Sequence, residues 1–189
     1  MTALIKRVTS RWSETGVIQE LDEDIYEYGL ELLIHTVLNL ASVLVSAAMI
    51  GKVPESIALL AVILPLQSYG GGYHAQTHLR CFLIMYIGWW GVMFILPHIS
   101  PMAATIVAGL SIVVVYKLAP VPHVNVKMSA GQRLKMRKYA RVAAVLGAFL
   151  SAILIWGVSA HIGIAMSTGL GVVAFSMLAA HGKNLIKRN

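Results

Sequence analysis

Leu66-Gln67-Ser68-Tyr69-Gly70-Gly71-Gly72-Tyr73-His74-Ala75-Gln76-Thr77-His78-Leu79-Arg80-Cys81 is a polar, glycine-rich interval in the first half of an otherwise very apolar chain. Apolar runs stand on either side of it, Val53–Tyr69 before and Leu79–Leu96 after. It therefore reads as the break between two helical spans. The interval also holds the protein's one cysteine, placed shortly after His74.

Outward from this break the same pattern repeats. Further apolar blocks cover Leu30–Ile50, Met102–Leu118, Val142–Ala160 and Ile162–Ala180. Gly51-Lys52 turns the first block into the second, Pro97 and Pro101 divide the third from the fourth, and the last two adjoin as a hairpin. Each block approaches the roughly 20 residues a helix needs to cross a bilayer. Only 12% of residues are charged and the mean hydropathy is +0.75, whereas about a quarter of an ordinary soluble domain is charged. The expected architecture is all-α: a polytopic membrane bundle of about six transmembrane helices. Pro65, near the end of the second block, is expected to kink or end that helix.

Charge placement tests the count. With the N-terminus cytoplasmic and all six blocks crossing, Lys52 alone of the 15 Lys and Arg residues falls outside. Reversing the orientation puts the bulk of them outside, and removing a span splits them, so the positive-inside rule favours six spans with both termini cytoplasmic. The expected division is a single integral membrane domain, with 1–28 a cytoplasmic or interfacial segment, 29–181 the bundle and 182–189 a basic tail. Within 1–28, Leu4, Ile5, Val8 and Trp12 recur at helical spacing opposite Lys6, Arg7 and Arg11, which suits a short amphipathic helix on lipid or on the protein itself. Glu20, Asp22, Glu23, Asp24 and Glu27 occupy the place of a signal-peptide core, so no signal peptide is read there.

This topology puts His74 and Cys81 on the cytoplasmic face, where a thiol stays reduced. Cysteine attacks as a thiolate, and an ordinary thiol is only a few per cent ionised at neutral pH. Cys81 at the first turn of a span meets the helix dipole, Arg80 adjoins it, and His74 can take its proton, so the residues suit a cysteine-peptidase pair. On one continuous helix the two Cα atoms would stand about 10 Å apart, too far for a direct hydrogen bond. The pair therefore requires His74 on a loop folded back over the helix start. The plainer reading is a small buried cysteine beside an interfacial histidine. A third makes His74, His78 and Cys81 zinc ligands, although Ala75 stands where an HExxH peptidase has its glutamate.

Three other features bear on function. Glu31, His35 and Asn39 form one stripe on the first span, with Glu31 expected near the depth of Cys81, where it orients His74, binds substrate or lies in the interface. Lys127, Arg133, Lys135, Arg137, Lys138 and Arg141 form a basic cytoplasmic loop, an anchor on anionic lipid or a dock for an acidic peptide. No aromatic interleaving accompanies this charge, which argues against nucleic acid. Ala143, Gly147 and Ser151, and then Gly163, Ser167 and Gly171, make small-residue seams that suit packing within one subunit or a homodimer.

Tyr28-Gly29-Leu30-Glu31, Gly71-Gly72-Tyr73-His74-Ala75 with Cys81, and Ala119-Pro120-Val121 with Asn125 together resemble the accessory gene regulator B family of membrane endopeptidases in Gram-positive quorum sensing. The resemblance implies that His74 and Cys81 are catalytic and that Gly72 matters. Many relatives carry an arginine where this chain has Gln67, so that contribution is either lost or supplied elsewhere, with Arg80 a candidate. The implied substrate is a short propeptide with an amphipathic leader and an acidic tail, which the basic loop would receive. Cleavage through an enzyme thioester would let the signal segment close to a thiolactone or lactone, with no cofactor or metal. A homodimer in the cell membrane is implied as well. The alternatives are a non-enzymatic small transporter or signalling partner, and a His/Cys metal-binding membrane protein.

Overall fold

The computed structural model describes residues 2–72, 77–121 and 129–186. Among these the chain is helical: α1 (Thr2–Glu14), α2 (Glu23–Met49), α3 (Val53–Gly70), α4 (His78–Ile95), α5 (Pro101–Leu118), α6 (Ala130–Ile153) and α7 (Ala160–Ile186). The last six carry stretches long and apolar enough to cross a membrane, in agreement with the six blocks. Such helices satisfy their own backbone groups, which lipid cannot do.

Local chemistry sets most boundaries. Glu23 and Asp24 open α2, where negative charge complements the helix dipole. Gly51, at φ +67°, turns the chain after α2. Lys52 then pairs with Glu55 at 3.0 Å over the first turn of α3. Ser100 caps α5 by accepting from the Ala103 N–H at 3.2 Å, and Pro101 follows it. Pro65 does not end α3, which runs on to Gly70. A membrane helix tolerates this because neighbouring groups re-satisfy the freed carbonyl.

Helix α2 begins seven residues before Leu30 and α7 ends six after Ala180, and the largest difference is at α6. The block expected to begin at Val142 belongs to a helix that begins at Ala130. Ser129 and Gln132 form a reciprocal capping box there, at 3.2 and 3.0 Å. Gln132, Leu134, Lys135 and Arg137 are good helix formers, and the cations among them lower the hydropathy enough to hide the segment from a reading of apolar blocks. Arg133, Lys135, Arg137, Lys138 and Arg141 therefore stand on helix α6 rather than in a loop. Lys127 lies outside the described residues.

The bundle has two parts. Helices α3, α5, α6 and α7 pack around a core that includes Leu66, Val115, Ala144, Leu170 and Met177. Beside it, Val43 and Ala47 of α2 and Trp89 and Met93 of α4 cluster with Leu59 and Leu60 of α3. The Trp89 indole N–H donates to Ser56 Oγ at 3.0 Å, and Ser46 and Tyr86 share a 2.7 Å hydrogen bond. Helix α1 packs on α2, burying Ile5 and Thr9.

The small-residue seams are used within the chain. Ser167 Oγ donates to Ser151 Oγ at 3.0 Å between buried side chains. A Cβ on Gly163 would stand 2.7 Å from the Ser151 carbonyl oxygen, and one on Gly171 would stand 2.8 Å from Val107. These residues thus bring α6, α7 and α5 together.

Candidate functional site

The site begins where α3 ends. Gly71 has φ +70°, a left-handed conformation open to glycine and costly for other residues. Its N–H still donates to the Gln67 carbonyl at 3.2 Å. Immediately before it, the Gly70 carbonyl accepts from the Val121 N–H at 2.9 Å, so Ala119-Pro120-Val121 straps across the end of α3. The Ala119–Pro120 peptide is cis.

All three glycines lie against other parts of the chain. A Cβ at Gly70 would stand 2.1 Å from Met177 Cε, at Gly71 2.6 Å from the Val121 carbonyl oxygen, and at Gly72 2.8 Å from Ser176 Oγ. Sequence alone suggests that the triplet supplies freedom to bend. In the structure it also allows close packing, since α7 and the strap occupy the volume that side chains would need. Ser176 and Met177 carried no sequence signal, because nothing local marks a residue that meets a glycine so far away in the chain.

Cys81 lies across the break, in the first turn of α4, as expected. It is half-buried and free of any disulfide. Its N–H donates to the Thr77 carbonyl at 3.0 Å. The Thr77 hydroxyl accepts from the Arg80 N–H at 3.4 Å. Thr77 itself is extended, at φ −130° and ψ 147°. Cys81 is therefore on a helix that starts after Thr77, and the continuous 74–81 helix is excluded. Both His74 and the proposed Glu31–His74 contact lie outside the described residues, as does Asn125. Arg80 is exposed and Gln67 half-buried.

The polar stripe of α2 occupies one face of an unbroken helix, but its depth differs from expectation. Ser46 of α2 meets Tyr86 of α4, and Val43 shares a cluster with Trp89. Counting back five residues along both helices from the Ser46–Tyr86 hydrogen bond puts Cys81 level with Ala41, two residues beyond Asn39. Glu31, eight residues earlier, is about 12 Å further along α2 at 1.5 Å per residue. Asn39 is half-buried, and its Oδ1 has no hydrogen-bond partner among the described residues. It is the polar residue of this stripe nearest the cysteine's level.

Behind the strap, α6 holds α5. Arg137 Nε donates to the Ala119 carbonyl at 3.3 Å, and an Arg141 terminal nitrogen donates to the Tyr116 carbonyl at 2.8 Å. The Arg141 guanidinium also lies 4.5 Å from the centroid of the Tyr116 ring. Two of the basic residues thus tie down the carbonyl end of α5 and the strap that crosses the glycines.

A bundle of six apolar helices, with a glycine-packed helix end and a free cysteine on the next helix, defines a multi-pass membrane protein with a candidate thiol site at one end. The sequence matches accessory gene regulator B over residues 5–178, and the chain belongs to that family, whose members are membrane proteins of the agr quorum-sensing system. No match is found among curated proteins or among solved structures.

Proposed function

We propose that the protein is a membrane cysteine endopeptidase that removes the acidic C-terminal tail of a short signal propeptide at the cytoplasmic face. The observation that carries this reading is a free, half-buried Cys81 in the first turn of α4, on the far side of the interval that holds His74, in a chain of this family.

The chemistry follows from the residue types. His74 takes the Cys81 proton, and the thiolate attacks the carbonyl carbon joining signal segment to tail. The C–N bond breaks and the amine of the tail leaves with the proton from His74, giving an acyl thioester on Cys81. A thiol or hydroxyl within the signal segment then attacks that thioester, releasing Cys81 and closing a thiolactone or lactone. Exchange of one thioester for another is nearly isoenergetic, so excluding water decides between cyclisation and hydrolysis. Backbone N–H groups near Gly72 or at the start of α4 are the candidates for stabilising the oxyanion. Lys127, Arg133 and Lys135 are the candidates for meeting the acidic tail.

The test is cleavage of an acidic-tailed propeptide by the full chain in membranes. Wild-type protein should release the tail, and Cys81→Ala and His74→Ala proteins should not. Cleavage surviving in both variants would remove this assignment. A thioester-linked adduct of Cys81, located by mass spectrometry and released by hydroxylamine as the peptidyl hydroxamate, is the direct signature of the mechanism.

A further inference from the structure

We infer that the groove between α5 and α6 is a binding site for one anionic phospholipid, with its headgroup on Arg137, Lys138 and Arg141 and an acyl chain along Val142, Val145 and Leu146. The groove has a volume of about 470 Å³, and Tyr116 of α5 faces these residues across it. This inference is independent of the peptidase chemistry.

The first argument is charge. No Asp or Glu follows Glu55 in the sequence. Helix α6 packs on α3, α5 and α7, and the one carboxylate on those helices is Glu55. It sits in the first turn of α3 and is paired with Lys52, whereas the opposite end of α3 is the one beside α6, where Tyr69 meets Tyr139. The cations at the groove mouth thus have no carboxylate partner on the helices packed against them. Uncompensated cations at a membrane boundary attract anionic headgroups.

The second argument is preorganisation. Arg141 is fixed by the Tyr116 carbonyl and the Tyr116 ring, and its Nε is buried with no hydrogen-bond partner among the described residues. Arg137 is likewise tied to Ala119. Guanidinium groups held this way lose little entropy on meeting a phosphate, which they recognise by directed N–H donation.

The third argument selects lipid over a soluble acidic peptide. Residues 138, 141, 142 and 145 follow one another on one face of α6, so the groove changes from cationic to apolar as it enters the span. From Lys138 to Leu146 the helix rises about 12 Å, a length suited to the upper part of an acyl chain. Val142, Val145 and Leu146 are exposed on the apolar part of the span, a depth that an acyl chain can follow and an acidic peptide cannot. Arg133 and Lys135 do not line the groove.

The experiment compares full-length protein purified in mild detergent from vesicles of phosphatidylcholine with and without phosphatidylglycerol, reading retained lipid by native mass spectrometry. One phosphatidylglycerol per chain should be retained in preference to phosphatidylcholine. Lys138→Glu, at an exposed position, should lower retention about thirtyfold through its change of two charges. Val145→Trp, which fills the apolar stem and leaves the charge unchanged, should lower it too. Equal retention of phosphatidylcholine, undiminished retention by Val145→Trp, or displacement of the lipid by glycerol phosphate or an oligo-aspartate peptide would each overturn the assignment.

Discussion

Helices α7 and α2 have equal length and similar hydropathy, yet 56% of the apolar window of α7 is buried in the protein against 17% for α2. The difference marks α7 as the helix around which the others pack, since α4, α5 and α6 each stand at 22%. In the α3–α5–α6–α7 part, glycine and serine let backbones approach until an added Cβ would collide. In the α2–α4 part, contact runs instead through larger side chains such as Val43, Trp89 and Met93. The candidate site falls on the border. Its glycine wall belongs to the tight part and Cys81 to the loose one, and residues 73–77 connect them. Under the proposed function, such a site would combine a fixed surface for a peptide backbone with a nucleophile on a helix open to lipid, from which an amphipathic substrate would arrive.

The largest expected effect tests whether the border is where the chemistry occurs. Cys81→Ala should bring propeptide cleavage to background while leaving thermal unfolding in detergent unchanged, because Cys81 is only half-buried and makes no disulfide. A variant that unfolds at lower temperature would instead make Cys81 a packing residue. Next comes the wall. Gly71→Ala combines a strained φ with a Cβ 2.6 Å from the Val121 carbonyl oxygen, so it should destabilise the protein by more than about 2 kcal/mol. It should also reduce cleavage, by moving the strap or the segment that carries His74. A variant as stable as wild type would show that the strap yields easily and that the wall is not fixed.

Much of this division was legible in sequence, for a physical reason. Spans are set by the demand that lipid makes on every backbone group, so the blocks at 53–69, 79–96 and 102–118 match helices to within a residue, and those at 30–50 and 162–180 belong to helices that run six or seven residues further. The seams at Gly147/Ser151 and Gly163/Ser167 were also visible, since small residues at that spacing have few other uses within a span. What escaped was whatever hydropathy ignores or distance hides. The polar start of α6 is helical through its capping box and helix formers, and a reading of apolar blocks passes over it. The depth of Glu31 depended on the register of α2 against α4, which only the Ser46–Tyr86 contact reveals. The glycines of 70–72 stood out, but their partners Met177 and Ser176 did not.

Smaller effects sharpen the comparison on the α2–α4 side. Ser56→Ala removes the acceptor of the Trp89 indole N–H at the junction of the two parts. It should cost about 0.6–1.7 kcal/mol, the range for interhelical hydrogen bonds in membranes, with the loss read as earlier denaturation in a chaotrope series. A larger loss would mean that α4 is held to α3 chiefly through this bond. Gly91→Ala should do the reverse. Nothing lies within 4 Å of the position a Cβ would take, so the substitution should stabilise α4 by up to about 1 kcal/mol. The same exchange at Gly71 and at Gly91 thus has opposite signs, and equal signs would erase the distinction between the two parts.

The smallest effect is expected at the most exposed large side chain of α4. Phe94 is 77% exposed, and in water its truncation would remove an unfavourable surface. In a bilayer its ring faces hydrocarbon both before and after the helices associate, so no transfer energy is gained or lost. Phe94→Ala should therefore change stability by no more than about 0.5 kcal/mol. A loss several times greater, read in the same chaotrope series, would mean that another protein surface covers this face of α4. Dilution of the protein in lipid would then restore wild-type behaviour in the comparison, because both variants would have lost that cover.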